Sequence, residues 1–162
     1  MLRGAVVKSI SQLPGWVLLC LLFPAQTLAG QWLGPEAGAT APAAPKNLEQ
    51  LLAENPLAPG DNIKALPLGR SARAAHVLVQ VRDREPLHYH ADSDITVLML
   101  RGRGAIRIGA KLFPVTAGDA IHIPRGVVHA YINAGPEIGV ALVVYSPQPG
   151  PKDRVLVEDK KK

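Results

Sequence analysis

The stretch GDAIHIPRGVVHAYIN, residues 118–133, decides the fold of this 162-residue chain. After a Gly-Asp turn, the apolar run 120–123 has the length and composition of a short buried strand. The sequence Pro-Arg-Gly at 124–126 breaks that strand. A further strand is predicted from Val128 to Ile132, with His129 pointing inward. The stretch therefore predicts two short strands in close succession, the second with a histidine on its buried face.

Two more histidines lie upstream, in the sequence His88-Tyr89-His90. Side chains alternate between the two faces of a strand, so His88 and His90 can point together at one metal ion. His129, on a distant strand, would supply a third imidazole. The two histidine clusters together predict a metal site assembled across a β-barrel.

At this point the chain resembles the cupin superfamily. Residues 118–133 match the second cupin motif, G-x5-P-x-G-x2-H-x3-N, at every defined position. The first motif, G-x5-H-x-H-x3,4-E-x6-G, is matched in part. Arg82 stands at the position of the leading glycine, Asp94 replaces the glutamate, and seven residues separate Asp94 from Gly102 instead of six. The resemblance extends over 68–157 and is that of a small, single-barrel monocupin of the Cupin_2 type.

The resemblance implies one divalent transition metal, held by His88, His90, Asp94 and His129. The metals that suit this ligand set include Mn, Fe, Ni, Cu and Zn, and the sequence does not choose among them. The shorter side chain and shifted spacing of Asp94 leave two arrangements open, a four-ligand site and a three-histidine site. A further alternative is a cupin that has lost its metal and keeps the histidines as structural residues.

The resemblance implies a jelly-roll barrel, also called a double-stranded β-helix, and the remaining pattern agrees with this all-β class. Short segments rich in Val, Ile and Leu alternate with glycines, and no helical periodicity interrupts them. A short N-terminal helix is predicted after Asn47, which caps it together with Gln50. The predicted strands are 76–82, 95–100, 105–108, 120–123, 128–132 and 138–145.

The N-terminus has the composition of an export signal. Arg3 and Lys8 precede the apolar run Trp16–Phe23, and small residues up to Ala29 suit cleavage before Gly30. The alternative is an uncleaved membrane anchor, although the run is short for a membrane span. The sequence thus predicts a periplasmic or secreted protein with no stable membrane span after cleavage. The domain boundaries follow: signal 1–29, Ala/Gly/Pro-rich linker 30–45, helix and arm 46–67, barrel 68–157 and basic tail 158–162.

Charge argues against a nucleic-acid partner. The net charge of +5 includes the lysine tail, and no basic stripe with interleaved aromatic residues accompanies it. The expected partner is a small molecule, and a homodimer formed through sheet edges is possible, as in many cupins.

Two classes of function remain open on the sequence alone. In one, the protein is a metalloenzyme similar to cupin dioxygenases, decarboxylases or isomerases, acting on a small oxygenated molecule. In the other, it is a non-catalytic module that binds a small molecule or a metal. Tyr131 shares the inward parity of His129 and is the candidate substrate-binding residue. No catalytic residue is predicted.

Overall fold

Alternation of apolar and polar residues along short strands builds two antiparallel sheets in the computed structural model, which describes residues 44–158. Each sheet has five strands, and the strand orders are β1-β2-β9-β4-β7 and β10-β3-β8-β5-β6. The elements are α1 Leu48–Glu54, β1 Ile63–Arg70, β2 Ala75–Val81, β3 His88–His90, β4 Asp94–Arg101, β5 Arg103–Ile108, β6 Lys111–Thr116, β7 Ala120–Ile123, β8 His129–Asn133, β9 Gly139–Ser146 and β10 Arg154–Leu156. This architecture confirms the predicted all-β jelly roll with a short N-terminal helix.

The core lies between the two sheets and takes side chains from both. On β4, Ile95, Val97 and Met99 are buried, whereas Thr96 between them is exposed, as expected for a strand with one face on the core. Ile106 on β5 and Tyr131 on β8 face them from the other sheet. The inner faces of the two sheets therefore define both the core and the cavity within it.

The helix begins with the predicted capping box. The Gln50 backbone N–H donates to the Asn47 side chain at 2.9 Å, and the Asn47 N–H donates to the Gln50 side chain at 3.0 Å. The side chain of Gln80, buried in β2, donates to the carbonyl of Asn55 just after the helix at 2.9 Å. The bond from Gln80 joins the end of the helix to the first sheet.

The sheets contain strands that the sequence pattern did not reveal. β1 begins at Ile63, ahead of the predicted barrel start at 68, and it contains Pro67; β6 contains Pro114. Both are edge strands, where a proline removes no necessary ladder hydrogen bond. β10 is short and follows a run of turn residues. Because of these proline and turn residues, the sequence pattern did not predict β1, β6 and β10.

Two glycines of the second motif adopt the left-handed backbone that the predicted turns require. Gly118 has φ of 98° between β6 and β7, and Gly126 has φ of 76° between β7 and β8. The Gly126 N–H donates to the carbonyl oxygen of His90 at 2.7 Å. This hydrogen bond joins the two histidine-bearing segments through their backbones.

The predicted signal segment 1–29, nearly all of the linker 30–45 and the lysines of the tail lie outside the described residues. Among residues 44–158, no helix is long and apolar enough to cross a bilayer. Pairing of two copies through a sheet edge stays a prediction.

Candidate metal centre

Three buried histidines meet inside the barrel. His88 and His90 lie two residues apart on β3, and His129 on β8 pairs directly with His88 across the ladder. One ring nitrogen of each lies within 4.8 Å of the corresponding nitrogens of the other two. The fold thus brings together the three histidines that the sequence singled out.

Each imidazole is fixed by a hydrogen bond at Nδ1. His88 Nδ1 lies 2.8 Å from the Pro86 carbonyl oxygen, and His129 Nδ1 lies 2.9 Å from the Val127 carbonyl oxygen. A carbonyl oxygen only accepts, so both Nδ1 atoms carry the proton and donate it. His90 Nδ1 donates in the same way to Asp153 Oδ2 at 2.7 Å. In the neutral form of each ring the lone pair is then on Nε2, the atom available to a metal.

The triad fits a transition-metal ion. Three imidazole nitrogens bound to one ion at about 2.0–2.1 Å lie roughly 3.0–3.6 Å apart, so the preformed set must close by up to about 1.8 Å. Burial lowers the pKa of His88 to about 4, although its hydrogen bond to the Pro86 carbonyl opposes the shift. Burial likewise lowers the pKa of His129 to about 4, against the hydrogen bond to the Val127 carbonyl. Both rings are neutral near pH 7, the form that coordinates metals.

Asp153 is a part of the site that the sequence reasoning missed. Its side chain is 1% exposed, and besides His90 it accepts the backbone N–H groups of Asp92 at 2.7 Å and Ser93 at 3.0 Å. Burial alone would raise the pKa of Asp153, but the Asp92 N–H and the His90 ring outweigh this effect and lower it. The ionised carboxylate holds the His90 ring in place and fixes its tautomer. An acidic residue two positions before the short apolar run Val155-Leu156 was the one available signal.

Asp94, the carboxylate that the cupin resemblance places in the ligand set, does not join the three histidines. Its Oδ1 accepts the backbone N–H of Arg125 at 2.9 Å. Ile95, the next residue on β4, faces the core, so alternation turns Asp94 to the other face of the sheet. In this position Asp94 stabilises the turn before β8 through its hydrogen bond with Arg125.

Tyr131 lies on the cavity wall, on the inward face that its parity with His129 predicted. Its hydroxyl donates to Asn133 Oδ1 at 3.3 Å. The ring packs against two glycines, and a Cβ at Gly139 would lie 2.6 Å from it and a Cβ at Gly104 2.8 Å. The absence of side chains at these two positions makes room for the tyrosine. Its role as a substrate-binding residue stays a prediction.

The histidines open onto a cavity that also contains a carboxylate. Glu85 lines this cavity with Tyr131 and Tyr145, and the Tyr145 ring packs edge-on against His90 with centroids 5.1 Å apart. The Glu85 N–H donates to the Tyr131 carbonyl at 2.9 Å, and the Tyr131 N–H donates to Glu85 Oε2 at 3.1 Å. Sequence reasoning missed Glu85 because it precedes His88 by three residues in a segment without strand periodicity.

His122 shows what separates a site histidine from a surface one. It lies on β7 beside the buried Ile123, is exposed, and pairs with the exposed Thr96 on β4. Its side chain thus points away from the core, in agreement with the alternation along β7.

Comparison with known proteins agrees with the fold. The family model described as "Cupin domain" matches residues 75–145. An uncharacterized protein of Aquifex aeolicus (strain VF5) is 33% identical over 113 residues, which cover 70% of this chain and 92% of that protein.

Solved structures resemble the barrel as well. The crystal structure of TT1209 from Thermus thermophilus has a TM-score of 0.57 and 26% identity, and the match covers 66% of this chain and 100% of that one. An uncharacterized conserved protein with a double-stranded β-helix domain from Klebsiella pneumoniae has a TM-score of 0.58 and 19% identity, with coverage of 67% and 95%. The motif, the two-sheet barrel, the histidine triad and these likenesses agree, and the chain belongs to the cupin superfamily.

Proposed function

We propose that this protein is a metalloenzyme in which His88, His90 and His129 hold one divalent transition metal, and that it acts on a small oxygenated molecule. The observation that carries the proposal is the uniform arrangement of the three rings. All three Nδ1 atoms donate to fixed oxygen atoms, which leaves three Nε2 lone pairs for one ion. Histidines that serve only as packing residues do not require a common tautomer.

The donor set restricts the metal by its chemistry. Three imidazoles favour Mn, Fe, Ni, Cu or Zn over Mg or Ca, which prefer oxygen ligands. Three protein ligands leave coordination positions open for a substrate. A metal bound here supplies Lewis-acid polarisation of a carbonyl or enol, or activation of oxygen, as required by dioxygenase-, decarboxylase- or isomerase-like reactions.

The chain's own residues supply the surroundings for that chemistry. Aliphatic side chains from both sheets line the cavity and give the histidines largely apolar surroundings. Burial, assisted by the negative charge of Glu85, raises the pKa of Tyr145 to about 12. Tyr145 therefore keeps its proton at neutral pH and can donate a hydrogen bond to a bound oxygen atom.

Metal titration of matched variants tests the metal site. His88→Ala and His129→Ala each remove one imidazole and are expected to weaken zinc binding by about 100-fold or more. His122→Ala, which removes an exposed imidazole, is the control and should bind as the wild type does. Equal affinity in all three variants would contradict the site.

Activity assays of the protein loaded with the metal that copurifies then decide between an enzyme and a non-catalytic binding module. Oxygen uptake or product formation with a small diketone, catechol or thiol would support the enzyme. Tight ligand binding without turnover, seen as a thermal shift, would contradict catalysis and favour the non-catalytic module.

We also propose that the protein is exported to the periplasm or cell exterior. The proposal is supported by the basic start, the apolar run Trp16–Phe23 and the small residues before Gly30. Cell fractionation with N-terminal sequencing tests it. An N-terminus at Gly30 in the exported fraction is expected, and full-length protein in the cytoplasm would contradict it.

A further inference from the structure

The cavity beside the histidine triad is small and largely apolar. The volume open to the centres of water molecules is about 50 Å³. A cavity of this size suits a small ligand. The apolar wall consists of Val79, Val81, Ile95, Val97, Met99, Ile106, Ala141 and Val143.

Besides the three histidines, one acidic side chain lines this cavity. Among the described residues that line it, Glu85 is the one carboxylate, and no arginine or lysine takes part. Phosphate and polycarboxylate sites characteristically present arginine or lysine side chains to their ligands. A ligand with several negative charges would find no such partner on this wall.

Glu85 is held through its backbone N–H and one of its two carboxylate oxygens. Its backbone N–H and its Oε2 are both bonded to the backbone of Tyr131, at 2.9 and 3.1 Å. Its other oxygen, Oε1, has no hydrogen-bond partner within residues 44–158. The negative charge of Glu85 raises the pKa of Tyr131 and Tyr145 in addition to the effect of burial. It also acts to raise the pKa of His129, but burial lowers that pKa by more. Its carboxylate thus acts on the same space as the triad.

The charge balance limits the ligand further. A divalent ion held by three neutral imidazoles beside one carboxylate leaves a single net positive charge. A ligand that arrives as a monoanion neutralises it, and a neutral acid that passes its proton to Glu85 leaves it unchanged. A dianion instead leaves excess negative charge against an aliphatic wall, where uncompensated charge is costly.

We infer that the cavity selects a small, weakly acidic molecule with an apolar body and at most one negative charge, and that Glu85 takes the proton of its acidic O–H group. In this step the O–H bond breaks, the proton passes to Glu85 Oε1, and the electron pair stays on the ligand oxygen. The inference rests on the proposed metal site and adds to it the class of substrate and a proton acceptor.

Pentane-2,4-dione and malonate test the selectivity. They have the same O–C–C–C–O skeleton and equal numbers of heavy atoms. Malonate has two carboxylates and therefore two negative charges. The dione has methyl groups in place of the second oxygens, and its enol form has one acidic O–H. Calorimetric titration of the zinc-loaded wild-type protein should show binding of the dione that is tighter by roughly tenfold or more. Preference for malonate, with zinc bound normally, would overturn the inference and leave the metal site intact. Failure of the wild type to bind zinc would overturn both.

The proton acceptor is tested by titrating the dione in two buffers of different ionisation enthalpy, PIPES and Tris. If Glu85 keeps the proton, the binding enthalpy of the wild type should not depend on the buffer. The Glu85→Gln variant should release about one proton per ligand to the buffer and bind the dione about tenfold more weakly, with zinc content unchanged. Glu137→Gln, which alters an exposed glutamate outside the cavity, should match the wild type. Release of a full proton by the wild type would overturn the role of Glu85.

Discussion

The segment from Gly118 to Asn133 and the segment from Arg82 to Gly102 both deliver histidines to one cavity, but they differ in where their polar partners come from. In the first of these, the ring of His129 is fixed by a carbonyl of its own segment, and Asn133 closes the loop that follows. In the other, His90 depends on Asp153, 63 residues away. The two motifs thus carry the metal ligands, whereas the carboxylate that orients one of them comes from outside both.

The largest expected effect is a pH dependence of the free energy of unfolding to which His88 and His129, one histidine from each segment, contribute equally. In metal-free protein, His88 and His129 stay neutral down to pH about 4 because burial lowers their pKa, whereas in the unfolded chain they take up protons near pH 6.5. The unfolded state binds more protons in that window, so the free energy of unfolding is highest above pH 6.5 and falls as the pH drops towards 4. The loss is on the order of 3 kcal/mol per histidine.

Urea denaturation of chelator-treated protein between pH 7.5 and about 4.5 measures this slope. His129→Gln should make the slope shallower by about half, and His122→Ala should leave it unchanged. A free energy of unfolding that is constant across the window would contradict the burial of the two rings in their neutral form.

The next effect tests the partner that comes from outside the motif. Asp153→Asn keeps the size of the side chain but removes its charge and can turn an amide N–H group towards His90. The ring then loses the acceptor that fixes its tautomer, so metal affinity should fall by about 10–100-fold. Competition with a chelating dye measures it, and Asp92→Asn, which alters an exposed neighbour, is the control. Unchanged affinity would show that the His90 ring does not need Asp153.

Asn133→Ala probes the partner that the second motif contains. The Asn133 side chain donates to the carbonyls of Arg82 at 2.9 Å and Glu137 at 2.7 Å. Its loss removes both hydrogen bonds, each worth about 0.5–1.5 kcal/mol, and should lower the free energy of unfolding by about 1–3 kcal/mol, with metal affinity changed by no more than about twofold. A large loss of metal affinity in a protein of normal stability would instead give Asn133 a role in the site.

Asp94→Ala is expected to have the smallest effect. It removes one hydrogen bond to the Arg125 N–H, worth about 0.5–1.5 kcal/mol. Metal content should match that of Asp92→Ala, a neighbouring exposed aspartate. A tenfold or greater loss of metal affinity in Asp94→Ala alone would return Asp94 to the ligand set and favour the four-ligand site.

Local pattern was enough to predict the barrel and its histidines. The strand 120–123 has the predicted bounds, and the inward parity of His129 and Tyr131 follows from alternation along β8. These features depend on residues that are close in sequence. For the same reason the capping box at Asn47 was predictable.

The carboxylates were not predictable because their roles depend on long-range contacts. Asp153 contributes through a hydrogen bond to His90 that only the pairing of β10 with β3 creates. Glu85 reaches the cavity because its segment pairs with β8 through Tyr131, and nothing in its neighbourhood indicates that pairing. Asp94 stands where the first motif has its carboxylate, yet its place on β4 turns it away from the triad.

The common tautomer of the three rings also bears on how fast a metal is captured. A free imidazole exchanges its proton between two nitrogens, and a site with mixed tautomers must rearrange before it can bind. In this protein the tautomer of each ring is selected on folding, by hydrogen bonds from Nδ1 to the Pro86 carbonyl, the Val127 carbonyl and Asp153. Metal binding therefore requires no exchange of tautomer at the three rings, and the free-energy cost of selecting it is met on folding.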